Sequence, residues 1–206
     1  MELSIRLKTV AEAVTKGNRV ADVGTDHGYV PIYLVKNNLS PAGIAMDVNK
    51  GPLEKAQEHI REEKIGGKIA TRLGNGLAPL EPGETDTVII AGMGGDLICK
   101  ILKAKPEFLI EGKEFILQPQ SEWFKIRRLL KEYRYQIEKE WFLKEDGKYY
   151  VMSSSEITDD LRNQAADDYA KFMTADSYKT YTKAYNVFIK KNPGYEEKIA
   201  NKLDAE

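Results

Sequence analysis

Acidic residues and glycines are concentrated in residues 22–29, Asp22-Val-Gly-Thr-Asp-His-Gly-Tyr29, directly after a short apolar run. A glycine-containing turn between a strand and a helix is where Rossmann-like folds bind nucleotides. Dinucleotide-binding turns need a glycine at the middle position, where this chain has Asp26, and a carboxylate there would repel a pyrophosphate. S-adenosylmethionine has an amino group, a sulfonium and no phosphate. We therefore predict that Asp22 and Asp26 bind its amino-acid end.

Two later strand ends could bind the rest of this ligand. Asp47 ends the second apolar run about 20 residues after the glycine turn, where an acid commonly accepts hydrogen bonds from ribose hydroxyls. Asn75 follows the third run, and its amide can bind the adenine edge beside Gly76, which leaves room for the ring. Each residue alone could simply shape a turn, but the ordered set favours binding. The predicted cofactor-binding residues are Asp22, Gly24, Asp26, Gly28, Asp47, Val48, Asn75, Gly76, Ala91, Gly92 and Met93.

The fourth and fifth apolar runs end in motifs suited to an acceptor. The fourth leads into Ala91-Gly-Met-Gly-Gly95, which provides a floor almost free of side chains beside the methyl donor. The fifth leads into Leu117-Gln-Pro-Gln120, where a proline fixes the turn and two amides can bind polar ligand edges. Enzymes that methylate exocyclic amino groups often carry Asn/Asp-Pro-Pro-aromatic at this position, and its absence disfavours such an acceptor.

These three motifs together resemble those of the bacterial tRNA (adenine-22-N1)-methyltransferases, the TrmK family, and the resemblance covers residues 1–155. It implies a methyltransferase that acts on N1 of an adenine in the D-region of tRNA, with S-adenosylmethionine as cofactor. It also implies a helical, coiled-coil-like C-terminal part. Residues 152–206 show no recognised motif of the family.

Adenine N1 carries a free lone pair, so its methylation needs alignment more than a strong base, and it needs no metal. The product is cationic, so a nearby carboxylate would stabilise the developing charge. His27 and Met93 could equally have packing roles, and a basic helix face is commonly just solvated. The predicted catalytic residues are Asp26, His27, Tyr29 and Met93. The predicted substrate-binding residues are Gly94, Gly95, Gln118, Pro119, Gln120 and, as tRNA phosphate contacts, Arg127 and Arg128.

These positions require strands that end where the motifs begin. Strands are predicted from short apolar runs at 19–23, 43–47, 68–73, 87–91 and 114–117. Helices are predicted from periodic segments at 3–14, 29–38, 51–64, 95–103 and 122–133. Asp-Gly between the segments 136–143 and 148–155 predicts a hairpin. The predicted α/β fold is a Rossmann-like class I methyltransferase sheet over residues 1–156, mostly parallel with an antiparallel C-terminal edge hairpin, followed by a small helical appendage over 157–206.

Composition limits the possible classes of protein. Hydrophobic residues make up 42% and charged residues 31% of the 206, which is typical of a folded soluble chain. No apolar run reaches the roughly 18 residues of a membrane span, and no signal peptide is evident, so a cytoplasmic location is predicted. The single cysteine, Cys99, excludes an internal disulfide, and no metal site is predicted. The predicted partner is tRNA, bound by a monomer.

Three alternative functions stay open. A methyltransferase of a small metabolite or protein would have the same fold. A nucleotide-dependent oxidoreductase is disfavoured because Asp26 occupies the phosphate approach. A non-catalytic RNA-binding relative would bind the cofactor without turnover.

Overall fold

A computed structural model of the chain describes residues 2–111 and 114–156. The helices are α1 (Ile5–Glu12), α2 (Tyr29–Lys36), α3 (Lys50–Glu62), α4 (Gly95–Ala104), α5 (Glu107–Glu111) and α6 (Trp123–Glu132). The strands are β1 (Val20–Val23), β2 (Gly43–Asp47), β3 (Ile69–Leu73), β4 (Thr87–Gly94), β5 (Glu114–Ser121), β6 (Gln136–Glu145) and β7 (Lys148–Glu156).

The strands form one sheet in the order β3-β2-β1-β4-β5-β7-β6. The first five strands pair in parallel, whereas β7 is antiparallel to both β5 and β6. The predicted Rossmann-like sheet and its edge hairpin are therefore confirmed. Because the chain leaves β3 and returns to the other side of β1, the carboxyl ends of β1 and β4 flank a topological switch point.

Helices cover both faces of the parallel strands, so neighbouring residues of one strand belong to different cores. On β4, Val88 and Ile90 pack with Leu129 of α6, while Ile89 packs on the opposite face with Val10 of α1. This two-sided burial explains why the strands appear as continuous apolar runs in the sequence. It also holds their carboxyl ends, and the side chains there, in fixed positions.

The β6–β7 hairpin has the turn that its sequence predicts. Asp146 and Gly147 form the two-residue loop with φ of 48° and 77°, and positive φ at both positions suits the twist of paired strands. Leu117 of β5 pairs with Ser153, so residues 148–152 of β7 lie beyond this pair, toward the carboxyl end of β5. The end of the hairpin thus lies on the side of the sheet where β1 and β4 end.

The structure differs from the predicted elements in several places. Strand β5 continues past Leu117 to Ser121, so the turn predicted at Gln118-Pro119-Gln120 was wrong and these residues belong to a strand. Helix α5 was not predicted, because five residues after Pro106 are too few to show a helical period. Strand β4 continues past Ala91 to Gly94 with shifted pairing to β5. Glu122 has φ 53° and precedes α6 rather than belonging to it. The predicted C-terminal helices and the boundary at residues 156/157 lie outside the described residues, among which no helix is long and apolar enough to span a membrane.

Candidate functional site

A cavity of about 480 Å³ opens where the parallel strands end, a size suited to a small organic ligand. Its wall contains almost every predicted cofactor-binding residue: Asp22, Gly24, Asp26, Asp47, Val48, Asn75, Gly76, Ala91, Gly92 and Met93. The exception is Gly28, which has φ +73° and whose α-carbon faces Ala56 of α3. A β-carbon at Gly28 would lie 3.0 Å from that of Ala56, so this glycine serves the packing of α2 on α3 instead of lining the cavity.

Asp22, at the end of β1, is only 6% exposed. Burial raises its pKa to about 6, against the opposing effect of a 2.6 Å hydrogen bond that the Thr25 hydroxyl donates to Oδ2. The nearby carboxylates of Asp26 and Asp47 raise the pKa further, while Arg6 lowers it. A buried acid among other acids is stabilised when a cationic ligand group binds beside it.

Asp47 ends β2, and its Oδ1 accepts a 2.7 Å hydrogen bond from the backbone N–H of Asn49. This bond orients the carboxylate and leaves the second oxygen for a ligand hydroxyl. Two exposed apolar side chains, Val48 and Leu97, also line the cavity, with 61% and 48% of their surface accessible. Apolar walls beside a carboxylate suit the flat face of a heterocyclic ligand.

Gly24 and Met93 meet in the cavity wall. Gly24 has φ +74°, and a β-carbon added there would lie 2.1 Å from the Met93 methyl group. The glycine therefore allows both the turn after β1 and the approach of Met93 from β4. The first and fourth strand motifs, far apart in the chain, are in direct contact.

Two of the predicted catalytic residues, His27 and Tyr29, form an aromatic cluster with His59, and a third, Asp26, contacts His27. His27 Nε2 lies 3.5 Å from Asp26 Oδ1, and His27 Nδ1 lies 3.4 Å from the Tyr29 hydroxyl. The Tyr29 ring stacks on His59 at 5.2 Å, and His59 Nδ1 donates a hydrogen bond to the His27 carbonyl. Asp26 and Tyr29 line the cavity, but His27 does not. Sequence reasoning missed His59, because nothing in α3 marks this residue as facing the loop.

The glycines of the fourth strand end have different positions. Gly92 lines the cavity, whereas Gly94 and Gly95 do not. A β-carbon on Gly95 would lie 2.6 Å from the Ser121 carbonyl oxygen and 2.8 Å from that of Glu122. Gly95 therefore permits α4 to begin against the β5–α6 connection. Of the three glycines predicted to form a floor for the acceptor, only Gly92 lines the cavity.

Only one residue of the segment Gln118-Pro119-Gln120, near the end of β5, reaches the cavity. Gln118 and Pro119 are buried, and the Gln118 side-chain oxygen accepts a 3.1 Å hydrogen bond from Arg6. Gln120 is exposed and lines the cavity. The structure thus places Gln118 behind the site, as a support for Arg6.

The two arginines of α6 that were predicted to bind phosphate differ in their contacts. Arg127 binds both carboxylate oxygens of Glu140, at 2.9 and 2.8 Å from Nη2, and lies over the Trp123 ring. Arg128 is exposed and forms no hydrogen bond or ion pair with any described residue. A glutamate of β6 thus already neutralises Arg127, whereas both arginines stay predicted phosphate contacts.

Helix α1 adds Arg6 and Leu7 to the cavity wall, and sequence reasoning missed both. Arg6 is one of 31 basic residues, and nothing in its local pattern distinguishes it. The available signal was positional, since a helix before the first strand can pack beside the end of that strand. Among the described residues, no cluster of acidic, histidine or cysteine side chains could hold a metal ion.

The comparisons with known proteins agree with this geometry. Residues 3–152 match a family model described as a methyltransferase domain. The tRNA (adenine(22)-N(1))-methyltransferase of Bacillus subtilis is 39% identical over 159 residues, which cover 77% of this chain and 67% of that protein.

Two solved structures are also similar to this chain. The crystal structure of the B. subtilis m1A22 tRNA methyltransferase TrmK has a TM-score of 0.73 and 33% identity, covering 97% of this chain and 88% of that one. M. capricolum TrmK, solved with S-adenosylhomocysteine, has a TM-score of 0.70 and 33% identity, covering 76% and 69%. The chain belongs to the TrmK family of tRNA (adenine(22)-N1)-methyltransferases.

Proposed function

We propose that this protein transfers a methyl group from S-adenosylmethionine to N1 of adenine 22 in tRNA, as its relatives do. The observation that supports this most directly is the single cavity into which the carboxylates of Asp22, Asp26 and Asp47 converge from neighbouring strand ends. A ligand with an amino group at one end and ribose hydroxyls at the other matches that distribution.

The cavity residues fit this cofactor by their chemistry. Asp22 and Asp26 would bind the α-amino group, Asp47 the ribose hydroxyls, and Asn75 with Gly76 the adenine edge. Val48 and Leu97 supply apolar surface for the adenine faces. When bound, S-adenosylmethionine supplies an electrophilic methyl group on a sulfonium.

The acceptor side of the cavity is formed by Gly92, Met93, Gln120 and Tyr29. Gly92 leaves room for a flat base, and Gln120 can read a polar edge of that base. The new N–C bond at adenine N1 uses the ring lone pair, so no proton leaves N1 and the ring becomes cationic. The exposed carboxylate of Asp26 can stabilise this charge, which makes it the leading catalytic candidate.

The test is methyl transfer from labelled S-adenosylmethionine to unmodified bulk tRNA, followed by nucleoside analysis. We expect 1-methyladenosine, and its loss when adenine 22 of a single transcribed tRNA is replaced by guanine. Methylation of small molecules or proteins, with none of tRNA, would contradict the proposal. Cofactor binding without any turnover would identify a non-catalytic relative.

Replacing Asp26 with alanine is expected to lower kcat about 100-fold, in line with the loss of one preorganised charge contact in an active site. Thermal stability should stay within about 0.5 kcal/mol of the wild type, because the side chain is 77% exposed. Turnover is measured at saturating cofactor and tRNA. Glu58→Ala is the control, because Glu58 is an exposed acid outside the cavity wall. Equal losses in both variants would remove Asp26 from the catalytic role.

Replacing Arg128 with alanine is expected to weaken tRNA binding and to lower the slope of log affinity against log salt by about 1. The matched variant Arg127→Ala should change the slope less, because Glu140 already neutralises that guanidinium. Fluorescence anisotropy with labelled tRNA between roughly 50 and 200 mM salt measures both slopes. A larger change for Arg127→Ala would mean that tRNA displaces Glu140 from its arginine.

We further propose that the protein works in the cytoplasm, where tRNA is modified, as a monomer and without a metal. The reaction itself supports the last point, since a free lone pair attacks an activated methyl group. Sedimentation velocity and activity after chelation test these statements. A stable dimer, or loss of activity that added metal restores, would contradict them.

A further inference from the structure

We propose that Arg6 binds the carboxylate of the cofactor's amino-acid end, and that the β6–β7 hairpin together with Gln118 positions Arg6 for this contact. The inference rests on S-adenosylmethionine as the cofactor and deepens the proposed function at one subsite. It assigns a binding role to a residue outside every motif of the sequence.

The charge balance of the cavity is the first observation that supports carboxylate binding by Arg6. The amino-acid end of the cofactor is a zwitterion, whereas the strand ends supply only the carboxylates of Asp22, Asp26 and Asp47. Among the described residues of the cavity wall, Arg6 is the only cationic side chain. Its charge also reaches the buried acid, because it lowers the pKa of Asp22. Arg6 thus supplies the positive charge that a carboxylate beside Asp22 would need.

The position of the Arg6 guanidinium is the second observation that supports this role. A β-carbon on Gly92 would lie 3.8 Å from Arg6 Nη1 and 3.9 Å from the side-chain nitrogen of Gln120. Two hydrogen-bond donors therefore converge above a residue without a side chain. Gly92 lies near the end of β4, the strand that pairs with β1 and Asp22. An anionic group is the ligand that such a pair of donors suits.

The N–H donors of Arg6 that stay available for a ligand are the third observation that supports this role. Arg19, Arg72 and Arg127 each bind both oxygens of one carboxylate, from Asp86, Glu84 and Glu140 respectively. The Arg6 guanidinium pairs with no carboxylate of the described residues and binds only the neutral amide of Gln118. Most of its five N–H donors stay available, in the planar arrangement that matches a carboxylate.

Three contacts hold Arg6 in this position. The Gln118 side-chain oxygen accepts a 3.1 Å bond from Nη1, and the Tyr150 ring lies 5.7 Å from the guanidinium carbon. Glu145, the last residue of β6, accepts a 3.1 Å bond from the backbone N–H of Arg6 in the first turn of α1. The end of the hairpin and the last part of β5 therefore act as positioning elements.

The experiment compares two ligands by isothermal titration calorimetry, S-adenosylmethionine and decarboxylated S-adenosylmethionine, which lacks only the carboxylate. Arg6→Ala is expected to weaken binding of the first roughly 10- to 100-fold and to change binding of the second less than about threefold. Arg61→Ala, an exposed arginine outside the cavity, is the control and should leave both affinities unchanged.

A second variant changes the partner of Arg6 and leaves Arg6 itself in place. Gln118→Glu gives Arg6 an internal carboxylate, so it should also weaken only S-adenosylmethionine. Equal losses for both ligands in the Arg6 variant would overturn the inference, as would unchanged affinities with a raised KM for tRNA. Wild-type protein that binds neither ligand would refute the proposed function itself. If the wild-type protein binds S-adenosylmethionine and its decarboxylated form with equal affinity, only the role of Arg6 is refuted.

Discussion

Replacing Asp22 with asparagine is expected to stabilise the ligand-free protein above pH 6 while weakening S-adenosylmethionine binding roughly 10- to 100-fold. Burial raises the pKa of Asp22 from 3.8 to about 6, so the folded protein holds this proton more tightly than the unfolded chain. The contribution of Asp22 to stability is complete below pH 4 and is lost as the pH rises through 6. The full loss corresponds to roughly 3 kcal/mol.

Chemical denaturation of both proteins at several pH values between 4 and 8 measures this effect. The difference in unfolding free energy should grow with pH in favour of the variant, because contributions of other groups cancel in the comparison. Asparagine keeps an oxygen for the Thr25 hydroxyl. Glu58→Gln, which changes an exposed carboxylate outside the cavity, is the control. A constant difference across this range would contradict the raised pKa, and unchanged cofactor affinity would exclude the amino-group contact.

Replacing Gly95 with alanine is expected to destabilise the protein by about 3 kcal/mol, which would lower Tm by about 6–12 °C. The added β-carbon would lie within 2.8 Å of two backbone carbonyl oxygens, those of Ser121 and Glu122. Backbone cannot rotate away as a side chain can, so α4 or the β5–α6 connection must shift. Differential scanning calorimetry of the ligand-free protein measures the loss.

Gly94→Ala is the matched control for this change. Its added β-carbon would meet the Ser121 hydroxyl at 3.4 Å, an ordinary contact. The neighbouring substitution should therefore leave Tm within a few degrees of the wild type. Both glycines were predicted to bind substrate, so kcat and the KM for tRNA of each stable variant should be measured as well. A stable Gly95→Ala variant with a raised KM for tRNA would restore the substrate role and contradict the packing role.

Much of the site could be predicted because its residues lie at the ends of apolar runs. A parallel sheet covered on both faces needs continuous apolar strands, and its carboxyl ends lie along one edge. Asp22, Asp47, Asn75 and Met93 each follow such a run, so finding the strands was enough to place all four in one cavity. The Asp-Gly hairpin was equally predictable, because positive φ at both loop positions favours these residue types.

The contacts between distant elements could not be predicted in this way. Gly92 and Gly95 belong to one motif, yet only the position of the β5–α6 backbone separates a cavity residue from a packing residue. Arg127 and Arg128 are adjacent, and Glu140 on another element decides which of them is already neutralised. Such differences arise from packing between distant elements, which the local periodicity of the sequence does not reveal.

The amino-acid sequence by itself determined the α/β fold, the sheet edge at which the ligand site lies and the acids that point into it. Local propensity and apolar periodicity are sufficient for these features, since each depends on residues close together in the chain. The tertiary structure decided that Arg6 of the first helix joins the site, supported by Gln118, Glu145 and Tyr150. It also decided which glycines and arginines face ligand, because backbone approach and charge pairing are set by elements that meet only after folding.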